Sequence, residues 1–243
     1  MLYQDYFSQV NSVLHHVQTT QGPAIERAAA AVAECWKRDG ILYVFGCGHS
    51  HIIGEDLFYR AGGTASVCAI LDDDLMLHGG AVKSSCYERM PGLAAPILER
   101  YGLTERDVLI VASTSGINSV PVEMALHAKK LGVFVIAIVS GAYQNDASRH
   151  PSGLKLHEAA DLVIDNGVCH GDASVCIPDT EVRVGAISTV SGCMIAQSIV
   201  VQADALCQQS GMTPPVYVSG NIPGGMERNR ALIERFMPRI RHL

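Results

Sequence analysis

The chain has 243 residues, 48% of them hydrophobic and 17% charged, with a formal net charge of -6. That length buries a sizeable core, and that composition belongs to a compact globule and excludes a disordered or fibrous chain. An acidic balance with no run of Lys or Arg leaves no electrostatic footprint for nucleic acid or an anionic membrane surface, so neither is expected as a partner.

The polar opening around Asp5 lacks a basic region followed by an apolar one, so no secretory leader is expected. Tyr3, Phe7, Val10, Leu14 and Val17 alternate spacings of four and three, which predicts a helix able to zip against another helix of this chain or of a second copy. The Gln21-Gly22-Pro23 break ends it. A second helix follows, with Ile25, Ala28, Ala29, Val32 and Trp36 on one apolar face. His15 and His16 have no partner at ligand spacing and read as solvated surface.

From Ile41 onward, short apolar runs alternate with helical stretches. The runs at 41–45, 67–71, 108–112, 133–139 and 162–164 predict five strands. Such alternation makes a parallel sheet with helices on both faces, a three-layer α/β/α, flavodoxin-like architecture. Ligands of such sheets bind beyond the carboxyl ends of the strands, where the strand order reverses. The segment from Asp72 to Pro91 reads as irregular. The longest uncharged stretch, 184–203, carries six Ser, Thr and Gln side chains and predicts a buried helix, not a membrane span. Eight cysteines, mostly within apolar runs and with no C-x-x-C pair, predict small buried side chains in a reducing cytoplasm without a disulfide framework.

Two of the loops after strands have an anion-binding composition. Gly46-Cys47-Gly48-His49-Ser50-His51 follows the first strand; its glycines permit a tight turn, and Ser50 is placed to cap a helix running through Glu55 and Tyr59. Ser113-Thr114-Ser115-Gly116-Ile117-Asn118-Ser119 follows the third, and sets four hydroxyls at a helix N-terminus, where the dipole favours a phosphate.

These two loops, with Ala128-Lys129-Lys130-Leu131-Gly132 leading into the fourth strand and Ala159–Asp165 forming the fifth, resemble the SIS (sugar isomerase) domain. The resemblance covers roughly 41–205, with helices at both ends, and implies a single SIS domain over 1–243 with extensions at 1–40 and 206–243. Within the family the chain is similar to single-domain phosphoheptose isomerases. Through 185–192 it is also similar to N-acetylmuramic acid 6-phosphate etherases. The resemblance implies phosphate contacts from Ser50, Ser113, Thr114 and Ser115, with Gly48 and Gly116 allowing close approach and His49 and Asn118 beside them. Ser188 and Thr189 match the place where a later helix faces the sugar. A homo-oligomer, dimer or tetramer, is implied too.

Both relatives carry a glutamate ten residues after the first-loop serine, and Arg60 stands there in this chain. Proton transfer in these reactions needs a partly buried Glu or His. Glu55, about 140° around a helix from Ser50, Glu88, His51 and His170 are the candidates. Cys47, His49, His51, Cys169 and His170 match no zinc spacing, so no metal is expected. Gly46-x-Gly48 with Asp72 after the next strand suggests a dinucleotide, but His51 stands where the third glycine belongs, so no cofactor is expected. The function the resemblance implies is sugar-phosphate isomerisation or a related lyase reaction; a non-catalytic sugar-phosphate sensor is the alternative.

Overall fold

The computed structural model describes all 243 residues. Two helices, α1 (Leu2–Thr20) and α2 (Gly22–Lys37), precede β1 (Leu42–Gly46), a 3-10 turn (Gly48–His51) and α3 (Ile52–Leu57). Next come β2 (Val67–Ile70), α4 (Ala81–Tyr87), α5 (Ala94–Tyr101), β3 (Val108–Ala112), α6 (Ser119–Lys130) and β4 (Phe134–Val139). After α7 (Leu156–Ala159) and β5 (Leu162–Asp165), a small antiparallel hairpin of β6 (Val175–Cys176) and β7 (Arg183–Val184) leads into α8 (Ser188–Gln209) and α9 (Gly225–Phe236).

The five main strands form one parallel sheet in the order β2-β1-β3-β4-β5, the expected architecture. Both faces are covered, so alternate residues of each strand feed two cores. Tyr43, Phe45, Leu109, Val111, Val135 and Ala137 pack towards α5, α6, α7 and α9. Leu42, Val44, Ile110, Ile136 and Ile138 pack towards α2, α3 and α8. Strands buried on both faces are continuous apolar runs, which is why they stand out in the sequence. The uncharged stretch is accounted for in the same way: α8 lies against α2 and α3, with Ile195, Ala196, Ile199, Val200 and Ala203 buried.

Four expectations are corrected. The segment 72–91 is not wholly irregular, since it contains α4. The first-loop helix stops at Leu57, and Tyr59 has a left-handed φ of 43°. Ser50 caps nothing: it lies inside the 3-10 turn, and α3 has no side-chain cap. Cys86, Cys169 and Cys176 are exposed, although Cys35, Cys47, Cys68 and Cys207 are buried; all eight are free thiols.

Candidate functional site

The carboxyl ends of β1, β3, β4 and β5 meet at a narrow cleft. It is lined by Ser50, Ile53, Ala112, Ser113, Thr114, Ile138, Asn166, Ser188 and Thr189, none of them charged. The cleft spans the β1–β3 junction, where the strand order reverses. Five of the hydroxyl residues singled out in the sequence thus come together. Ser115, Gly116 and Asn118 follow in the same loop without lining the cleft.

Backbone geometry explains the shape of the first loop. The crowded glycine is Gly46: a Cβ there would stand 2.4 Å from the Ser50 carbonyl carbon. Gly48 has φ +55°, a conformation that favours glycine, and a Cβ on it would meet no atom of the chain within 4 Å. In the third loop Gly116 combines a left-handed φ of +64° with crowding by the chain itself, Val139 Cγ1 standing 3.2 Å from a would-be Cβ.

The hydroxyls differ in how they are engaged. Ser113 Oγ accepts from Gly116 N at 3.3 Å, which leaves its proton free to donate. The Thr114 hydroxyl and the backbone N–H groups of Thr114 and Ser115 have no acceptor within the chain, although Thr114 O accepts from Ser140 N at 2.8 Å. Free N–H groups and hydroxyls ahead of the 12-residue α6 are what an anion needs. Ser188 is the opposite case. Its hydroxyl donates to Asp172 Oδ2 at 2.5 Å, and Asp172 Oδ1 accepts from Ile187 N and Ser188 N, each at 3.0 Å. Ile187 is the α8 N-cap and has no side-chain acceptor, so Asp172, on a left-handed turn with φ 55°, caps the helix from a distance.

The proton-transfer candidates are scattered. Glu55 is exposed and faces His51, whose Nε2 is 3.6 Å from Glu55 Oε2. The His51 ring is buried, with its Nδ1 on the Gly48 carbonyl and its edge towards His78, and lines no part of the cleft. His49 is exposed. His170 donates to Asp146 Oδ2 at 3.1 Å and stacks on Tyr143 with ring centres 4.3 Å apart. Glu88 is also outside the cleft lining but is tied by its side chain to the third loop. At the C-terminal end of α4, its carboxylate accepts from Asn118 Nδ2, while Asn118 Oδ1 accepts from Arg149 Nη1 at 2.7 Å and Val120 N donates to the Glu88 carbonyl at 3.0 Å. Burial raises the Glu88 carboxyl above its usual range against the pull of Arg89 and Arg149. Burial first, then the charges of Glu88 and Asp72, push the Cys47 thiol well above its ordinary value, so Glu88 also acts electrostatically on the first loop. Arg60 pairs with Asp56, which accepts from Gln197 Nε2 at 2.8 Å. No three His, Cys, Asp or Glu side chains converge as a metal site.

Asn166 and Asp172 belong to no motif that the sequence announces. Asn166 stands just past β5, holding Val168 N with its side chain and the Ser191 hydroxyl with its carbonyl.

The family model of the SIS domain matches residues 5–140. The chain belongs to the SIS domain family. The match begins in α1, so it takes in the N-terminal helices that the loop motifs left out. A UPF0309 protein of Geobacillus kaustophilus is 43% identical over 236 residues, 97% of this chain and 94% of its own. A UPF0309 protein of Listeria innocua is 40% identical over 237 residues, covering 97% and 96%. The SIS fold is shared with a phosphoheptose isomerase from Francisella tularensis, at TM-score 0.52 and 20% identity over 84% of this chain and 96% of that one. It is shared equally with the phosphoheptose isomerase GmhA from Neisseria gonorrhoeae, at TM-score 0.53 and 16% identity over 82% and 95%.

Proposed function

We propose that this chain is a cytoplasmic, homo-oligomeric single SIS domain that binds a phosphorylated sugar in the cleft and isomerises it. The carrying observation is the convergence of Ser50, Ser113 and Thr114 with free backbone N–H groups ahead of α6, in a cleft without a lysine or arginine. A phosphate there is held by neutral donors and a helix dipole. Ser115 and Gly116 support this loop, and Thr189 extends the lining from α8. Glu88 is the carboxyl assigned to proton transfer: raised by burial and oriented by Asn118, it takes a proton from the hydroxyl-bearing carbon beside the sugar carbonyl and returns it to the carbonyl carbon, while the proton of that hydroxyl passes to the carbonyl oxygen, so that the carbonyl moves by one carbon. Arg60, in the place of the family glutamate, favours one second reading, a sugar-phosphate sensor without turnover.

Thermal shift with glucose 6-phosphate, sedoheptulose 7-phosphate, N-acetylmuramic acid 6-phosphate and NAD tests the ligand class. At a hundred times its Kd, a ligand of the folded state adds about 2.7 kcal/mol. A sugar phosphate should raise the melting temperature and NAD should not; stabilisation by NAD alone would overturn the reading. Conversion of the bound sugar separates the isomerase from the sensor.

A further inference from the structure

The cleft holds two kinds of hydroxyl, and the difference fixes what each can recognise. Ser113 already accepts a hydrogen bond from Gly116 N, so its proton is available to an acceptor such as a phosphate oxygen. Ser188, which lines the cleft, has given its proton to Asp172 and has only lone pairs left to offer a ligand there. A phosphate dianion has no proton to offer those lone pairs, and the nearby Asp172 carboxylate repels it. The Ile187 and Ser188 N–H groups that would otherwise draw an anion to the α8 N-terminus are also taken, by the other Asp172 oxygen.

We propose that Asp172 is a specificity-setting residue of the cleft: by holding the Ser188 proton it makes Ser188 an acceptor for a hydroxyl group of the sugar, and assigns the phosphate to the β3–α6 side. The inference rests on the sugar-phosphate reading above and adds a physical reason, the Asp172 contact, why Ser188 on the helix that the resemblance turns towards the sugar takes a sugar hydroxyl and not the phosphate. Asp172 acts through Ser188 and is a positioning residue. The ligand is polarised accordingly. Its phosphate lies at Ser50, Ser113 and Thr114, and a hydroxyl of its carbon chain or ring points to Ser188.

The test is a split between two probes in three variants. Calorimetry measures Kd for inorganic phosphate and for each of the three sugar phosphates with wild type, Ser188→Ala, Asp172→Asn and Thr114→Val. Ser188→Ala and Asp172→Asn should weaken the best sugar phosphate tenfold or more while changing inorganic phosphate by no more than twofold. In Asp172→Asn the amide NH2 faces Ser188 and cannot take its proton, so the hydroxyl reverses its role. Thr114→Val should weaken both probes by a similar factor. The proposal falls if Ser188→Ala weakens phosphate and sugar phosphate alike, or weakens neither. If wild type binds none of the four compounds, the sugar-phosphate reading falls and takes this one with it. Should Asp172→Asn fail to fold, Ser188→Ala carries the same comparison, since losing one half-buried hydroxyl leaves the helix cap in place.

Discussion

Burial of the Glu88 carboxyl, the base of the proposed isomerase, carries a cost in fold stability that depends on pH. Burial raises its carboxyl above the usual 4.5. A carboxyl whose pKa is raised on folding holds its proton more tightly in the native state, so it favours the fold at low pH and loses that contribution as pH climbs through the raised value. Glu88→Gln should therefore melt at a higher temperature than wild type at pH 7.5, with the difference vanishing near pH 4. Turnover, once a substrate is identified, should fall by about a hundredfold with binding retained. Equal melting temperatures across that range would contradict desolvation, and full activity would move the base elsewhere. The neighbouring Asn118 serves two partners, so Asn118→Ala should release both Glu88 and Arg149.

At the scale of the element, the loop after β1 depends on one glycine and tolerates change at another. Gly46→Ala drives a methyl group against the Ser50 backbone, a clash worth about 1–3 kcal/mol, or roughly 2–12 °C in melting temperature for a chain of this size. It should also displace Ser50 and abolish stabilisation by sugar phosphates. Gly48→Ala meets open space and bears a conformational cost of about 1–2 kcal/mol alone, so ligand stabilisation should persist. A melting scan of both variants with and without ligand checks the contrast. The strands and these loops were legible in the sequence because their signals are local: apolar runs of three to seven residues, and hydroxyls and glycines directly after two of them. The short helix α4, inside the stretch 72–91 that reads as irregular, was obscured by Gly79-Gly80 before it and Pro91-Gly92 after it, and the two-residue strands of the hairpin are too short to carry a period. Asp172 was illegible for another reason. Its role arises from contacts 15 and 16 residues away, and the one hint is negative, an isoleucine at the α8 N-cap where an acceptor is usual.

At the scale of the whole molecule, α1 is divided. Val17 is buried against the domain, while Tyr3 and Phe7 in the same stripe are 57% and 64% exposed. Met194 and Val201 on α8 are exposed too. If a second copy covers Tyr3 and Phe7, light scattering at micromolar concentration should report at least a dimer, and Phe7→Asp should shift it to a monomer. A monomeric wild type would remove the homo-oligomer from the proposed function. The first helix does more than offer that stripe. Tyr6 donates its hydroxyl proton to the Ala186 carbonyl at 2.7 Å, and its ring lies where a Cβ on Gly185 would stand, 2.8 Å away. Those two residues lead directly into Ile187 and the start of α8. Assembly through α1 and occupancy of the cleft would then share one mechanical joint, and thermodynamic reciprocity makes their coupling equal in both directions: whatever factor dimerisation adds to ligand affinity, the ligand adds to dimerisation, and a Tyr6→Phe chain would lose both halves of that exchange together.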